Sequence, residues 1–120
     1  MVELVGAPTR IEAASNMPMV IDEYFGLVNT NESHVSVTCM RSPGHWHEPG
    51  QCPDFHEYIV VLRGTLHVEH ERGTMDVEAG QGLHAHPGEW VRYSAPLDDG
   101  VEYITICTPA FTRATVYRDV

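Results

Sequence analysis

The sequence predicts an all-β domain, a sandwich or small closed barrel, and three observations carry that expectation. Past residue 33 the chain is a series of short β-branched and aromatic runs cut by Gly, Pro and Asp. At least six such runs recur at a spacing of roughly ten residues, the rhythm of strands joined by tight turns. No stretch repeats its apolar residues about every 3.6 positions, as the buried face of a helix would. A chain of 120 residues is one ordinary domain, long enough to bury its own core.

Taken in order, residues 1–32 read as an N-terminal extension packed on the barrel or on a partner, and residues 33–120 as the barrel. Within the extension, "MPMVIDEYFGLVN" suits either an edge strand or a short helix. "SHVSVTCM" alternates with period two and puts Val35, Val37 and Cys39 on one face. "YIVVLRGTLHVEHE" reads as two β-rich runs joined at Arg63-Gly64, and "GTMDVEAGQG" as a further strand and its turn. "LHAHPGEWVRYSAP" supplies two strands around Pro87-Gly88, and the β-branched "VEYITICTP" closes the series.

Charge narrows the functional classes. Seven Arg, no Lys and seventeen acidic residues give a net charge of −10. Such a surface repels phosphates, which argues against nucleic acid and anionic membrane as partners. No apolar run approaches the roughly 18 residues of a membrane span, and "MVELVGAPTRIEAASN" has no basic start followed by an apolar stretch. A cytoplasmic location is expected. Cys39, Cys52 and Cys107 are odd in number and form no CxxC pair, so neither a disulfide framework nor a zinc ribbon is implied. Cys39 and Cys107 read as small core residues, and Cys52 as a thiol in a histidine-rich loop.

The histidines carry the chemical signal. His45 and His47 are one residue apart, a spacing that on a strand turns both imidazoles to the same side, and His84 and His86 repeat it. Two such pairs on different strands can converge inside a barrel, and neutral imidazole is the commonest side-chain ligand for transition metals. His34, His67 and His70 read as solvated polar residues. His56 and Glu57 are adjacent, so a regular strand turns only one of them inward. Trp46, Phe55, Tyr58, Trp90, Tyr93 and Tyr103 can line a cavity for an aromatic ligand, although ordinary core packing accounts for any one of them. Arg92 is placed to orient an acidic substrate or to stay solvated.

The segment "HWHEPGQCPDFHEYIVVLRG" followed by "GQGLHAHPGEW" resembles the two motifs of the cupin superfamily. His45-x-His47, then Glu57 with six residues to Gly64, matches the first motif, and Gly80, Pro87 and Gly88 match the second loosely. Two features depart from the pattern. Nine residues separate His47 from Glu57, where the family has three or four, and Gln51 stands at the spacing where other cupins carry the ligand carboxylate. Val91 occupies the place of the second motif's histidine.

The resemblance implies a cupin jelly-roll barrel or β-sandwich holding one divalent transition metal per chain. Zn is the first choice, with Fe, Ni and Mn as alternatives. The ligands it implies are His45 and His47 with Gln51 or Glu57, and His84, His86 or both stand to supply the histidine that Val91 replaces. It also implies a homodimer, and the apolar segment around Met17 to Phe25 offers an edge or face to the partner. More weakly, the chain is similar to small cupin-type aromatic polyketide cyclases. That likeness implies an aldol-type cyclisation and dehydration of a carbonyl-bearing small molecule, with the metal as Lewis acid and Glu57 or His56 as base. An Fe-dependent dioxygenase and a non-catalytic small-molecule-binding cupin are the alternatives.

Overall fold

The computed structural model describes residues 1–13 and 18–119. Those residues form nine strands and one helical turn. The strands are β1 (Thr9–Ile11), β2 (Val20–Phe25), β3 (Ser36–Ser42), β4 (Trp46–His47), β5 (His56–His70), β6 (Gly73–Glu78), β7 (Gly82–Ala85), β8 (Val91–Ala95) and β9 (Val101–Thr108), followed by α1 (Arg113–Val116). The curled antiparallel sheet runs β1-β2-β3-β9-β5-β8-β4, and β6 and β7 also pair with β5.

Strand β5 organises the barrel. The sequence suggests two runs here, and the structure has one strand of 15 residues. Its first half pairs with β9 and β7, and its second half with β6 and β8. Glu57, Ile59 and Val61 face inward in the first half, Leu66 and Val68 in the second. The inward set thus changes from odd to even positions, because the register with β9 slips between Val61 and Arg63. Gly64, at φ +78, completes the bend.

The segment left open as strand or helix is β2, whose two edges pair with β1 and β3. The described part of residues 1–32 therefore adds two strands to the barrel's own sheet. On β3, Val37 and Cys39 share a face as the alternation predicts. The cavity wall is the other face, formed by Thr38 and Met40 between buried Ser36 and Ser42. Cys107 is buried as expected, while Cys39 is only half-buried on the outer side.

Trp46, Leu66, Tyr93, Val101 and Tyr103 centre the main core. Phe55, Cys107 and Val116 form a second cluster with Phe111, and the Phe55 and Phe111 rings meet edge to face at 5.9 Å. Thr112 caps α1 by accepting from the Thr115 N–H. Among the described residues, no helix is long and apolar enough to cross a membrane.

A Cβ on Gly64 would collide with the Gly100 carbonyl, whereas one on Gly80, also left-handed at φ +86, would meet open space. Gly64→Ala should lower stability by about 2 kcal/mol or more. Gly80→Ala should cost about 1 kcal/mol. Urea denaturation midpoints compare the two, and equal losses would refute a special role for the bend.

Candidate functional site

The barrel encloses a cavity of about 80 Å³. That holds several waters or part of one compact organic molecule. Alternation along the strands sets its polar wall. Strand β5 turns Glu57 inward, β8 turns Tyr93 inward, and β9 contributes Tyr103, Thr105 and Cys107. The loop after β4 adds Glu48 and Gln51. Arg118 enters from the C-terminal segment, which is anchored where Asp119 N–H donates to the Gly50 carbonyl at 2.7 Å.

Low dielectric dominates the electrostatics here. The Tyr93 hydroxyl donates to Glu57 Oε1 at 2.5 Å. Burial raises the Glu57 carboxyl above its ordinary range, and Tyr93 and Arg118 only partly oppose that. Burial, then the neighbouring Glu57, keeps the Tyr93 phenol protonated well above its usual value. Glu48 is pushed up to about 7, chiefly by burial. Arg118 Nη1, 3.6 Å from Glu48 Oε2, pulls the other way, and the charge of Glu57 adds to the rise. Thr105 Oγ1 is buried and has no hydrogen-bond partner among the described residues.

Of the expected site residues, the structure brings Gln51 and Glu57 to this cavity and leaves the histidines outside it. Both His-x-His pairs are exposed on the outside of the barrel, and His84 and His86 share a face there. Trp46, between His45 and His47, is 2% exposed and packs in the core, so its neighbours point away. Burying one indole is worth a few kcal/mol, while burying two imidazoles carries a polar desolvation cost. His45 adopts φ +64 and its Nε2 lies 2.7 Å from Asp98 Oδ1. Ala85 does for the second pair what Trp46 does for the first, and His84 and His86 are exposed on either side of it.

His56 joins that outer pair, with its Nδ1 3.0 Å from His84 Nε2. His84 is held below the ordinary histidine range, first by lost hydration and then by His86 and His56. The expected convergence of both pairs on one interior ion is therefore corrected. Inside are carboxyls, phenols and an amide, with Arg113 and Arg118 supplying the positive charge. Among the described residues no three His, Cys, Asp or Glu side chains surround a single point. The interior does not fit a histidine-held metal.

Sequence reasoning overlooked Glu48 and Arg118. Glu48 was within reach of it, since a strand that buries Trp46 also turns the residue two positions on inward. Arg118 carries no local signal.

Glu48 also predicts a pH dependence. Its native carboxyl keeps a proton that the unfolded chain releases between about pH 4.5 and 7, so stability falls as pH rises through that window. Glu48→Gln should flatten this decline by up to roughly 3 kcal/mol. Denaturant unfolding across the window measures it, and an unchanged slope would show that Glu48 titrates normally.

Residues 34–116 match the AraC-like ligand binding domain family. An endoribonuclease YbeY of Myxococcus xanthus is 33% identical over 91 residues, covering 76% of this chain. The chain spans only 31% of the length of that curated relative. Among solved structures, an oxalate decarboxylase of Bacillus subtilis superposes with a TM-score of 0.77 at 14% identity, over 95% of this chain and 31% of the other. An ethanolamine utilization protein Q of Salmonella typhimurium gives 0.66 at 20% identity, over 87% and 80%. At such identities the likeness establishes the fold alone, and it agrees with the curled antiparallel sheet. By the family match and by this architecture, the chain belongs to the AraC-like ligand binding domains and has the cupin jelly-roll fold.

Proposed function

We propose that this domain binds one compact organic molecule inside the barrel, without transforming it. The ligand is neutral or cationic and presents hydrogen-bond donors. The observation that carries this reading is Thr105, whose hydroxyl is buried on the cavity wall and unpartnered among the described residues. An unsatisfied buried hydroxyl costs on the order of 1–3 kcal/mol, and a bound polar group offsets that cost. The cavity lining includes Glu12, Glu23, Glu48 and Glu57 against Arg113 and Arg118. Burial holds Glu48 and Glu57 toward their protonated forms, so Glu12 and Glu23 offset Arg113 and Arg118, and it is the net charge of −10 on the chain that disfavours an anion. The same acidity weighs against RNA, so the activity in the Myxococcus protein's name is not carried to this chain.

Acid–base catalysis on a carbonyl compound, the aromatic polyketide cyclase reading, comes second. It is favoured by Glu48, a carboxyl raised to about 7 beside Glu57. In that reading Glu48 and Glu57 move the proton, with His56 on the outer face.

The homodimer is proposed to form through the outer face of β5. Tyr58, Val60 and Leu62 are exposed there, and Val60 and Tyr58 pair with Ile104 and Ile106 of β9. The solvent edge of β2 is covered by β1, and Met17 lies outside the described residues. Light scattering should give a dimer mass that Leu62→Glu converts to a monomer; a wild-type monomer would sink the assignment.

Ligand binding is tested by calorimetry and thermal shift with compact amines, polyhydroxy compounds and carboxylates. An amine or a polyol should bind and raise Tm, and carboxylates should not. Thr105→Val and Tyr103→Phe should each weaken binding about fivefold or more. A tightly bound carboxylate, or unchanged affinity in both variants, would overturn the reading. Turnover of a poly-β-ketone without oxygen would promote the cyclase, and oxygen consumption the dioxygenase.

A further inference from the structure

Three imidazoles that the cavity does not use meet on the outside of the barrel. Strands β5 and β7 pair Tyr58 with His84 and Glu57 with Ala85. Carried one residue further, that register sets His56 opposite His86, so His56, His84 and His86 share one outer face. His56 Nδ1 lies 3.0 Å from His84 Nε2. The ring centroids of His84 and His86 are 3.9 Å apart, and those of His56 and His86 5.8 Å. Tyr58 stacks on His84 at 4.2 Å and backs the cluster from one side.

We propose that His56, His84 and His86 form an exterior site for one divalent transition-metal ion of the class that prefers imidazole, such as zinc, nickel or copper. Two nitrogens bound to one tetrahedral ion at about 2.0–2.1 Å are about 3.3 Å apart, and His56 and His84 already hold theirs at 3.0 Å. In that contact one nitrogen donates a hydrogen to the other; when an ion takes its place, the donating ring carries its hydrogen on its other nitrogen and both facing nitrogens give the ion a lone pair. His86 adds a third donor. Its Nδ1 lies 3.1 Å from Glu89 Oε1 and its backbone N–H donates to the same oxygen at 2.8 Å. A carboxylate on one ring nitrogen keeps the hydrogen there and leaves Nε2 free as a ligand, the usual support for a metal-binding imidazole. As they stand the three rings do not surround one point; rotation about the side-chain bonds of exposed His84 and His86 and half-buried His56 is what brings their nitrogens onto the ion.

This site stands apart from the cavity, and the test separates it from the first histidine pair. Untagged protein is titrated with zinc by calorimetry, and with cobalt(II) by visible absorption, which reports the ligand geometry. One ion should bind per chain. His84→Ala and His86→Ala should each weaken binding by more than about tenfold while leaving the urea midpoint in place, since both side chains are exposed. The double variant His45→Ala, His47→Ala should bind as the wild type does. Absence of binding, wild-type affinity in both His84→Ala and His86→Ala, or loss of the ion in the His45, His47 double variant would overturn the assignment.

Discussion

Strand β5 belongs to both halves of the barrel, and its bend at Arg63-Gly64 is the constraint from which the rest follows. A straight strand would send one set of alternating residues inward along its whole length. The slip between Val61 and Arg63 instead moves the inward set from Glu57, Ile59 and Val61 to Leu66 and Val68. Both halves therefore bury an apolar row, and the one polar residue in the inward register, Glu57, is left at the cavity. Close packing of Gly64 on the Gly100 carbonyl, and of Gly100 on the Ser42 carbonyl, brings β5, β9 and the end of β3 together at that corner. Side chains at either glycine would hold the backbones apart.

A polar wall inside an apolar barrel is expensive, and its partners show how the cost is limited. Glu57 receives the Tyr93 hydroxyl, and Glu48 faces Arg118. Neither contact restores ordinary carboxylate behaviour, because desolvation outweighs both. A barrel that served only as a scaffold would be more stable with apolar groups at these positions. Groups held this way are preorganised to meet a ligand, and Thr105 still lacks a partner among the described residues.

The C-terminal segment completes the cavity. Cys52 N–H donates to the Val116 and Tyr117 carbonyls, and Trp90 Nε1 donates to Asp119 Oδ2 at 2.9 Å. The Cys52 contacts tie the segment to the long loop between β4 and β5, the same loop that departs from the cupin spacing, and the Trp90 contact ties it to the turn before β8. Arg118 reaches Glu48 because that loop and the chain end are paired at Gln51.

Local chemistry was enough to read the strands: β-branched runs, period-two alternation and Gly or Pro punctuation are properties of short segments, and they placed β3, β6 to β9 and the two halves of β5, though not their continuity. The cupin resemblance rested on the spacing of Glu57 and Gly64, and the fold agrees with it. Glu57 and Gln51 were legible as cavity residues for the same reason. Which face of each strand turned inward was not legible. His-x-His spacing states that two imidazoles share a side, but only the burial of Trp46 and Ala85 against the rest of the core decides that the side is the outer one. A shift of one residue exchanges the two faces, and its energy is summed over side chains from several strands. Arg118 and Glu48 are 70 positions apart in sequence, so their meeting depends on the closed barrel. The amino-acid sequence by itself determined an all-β chain with an acidic surface and histidines in two His-x-His pairs. The tertiary structure alone decided that carboxyls and phenols fill the interior while imidazoles gather outside, because inward and outward are defined only once the sheet has curled.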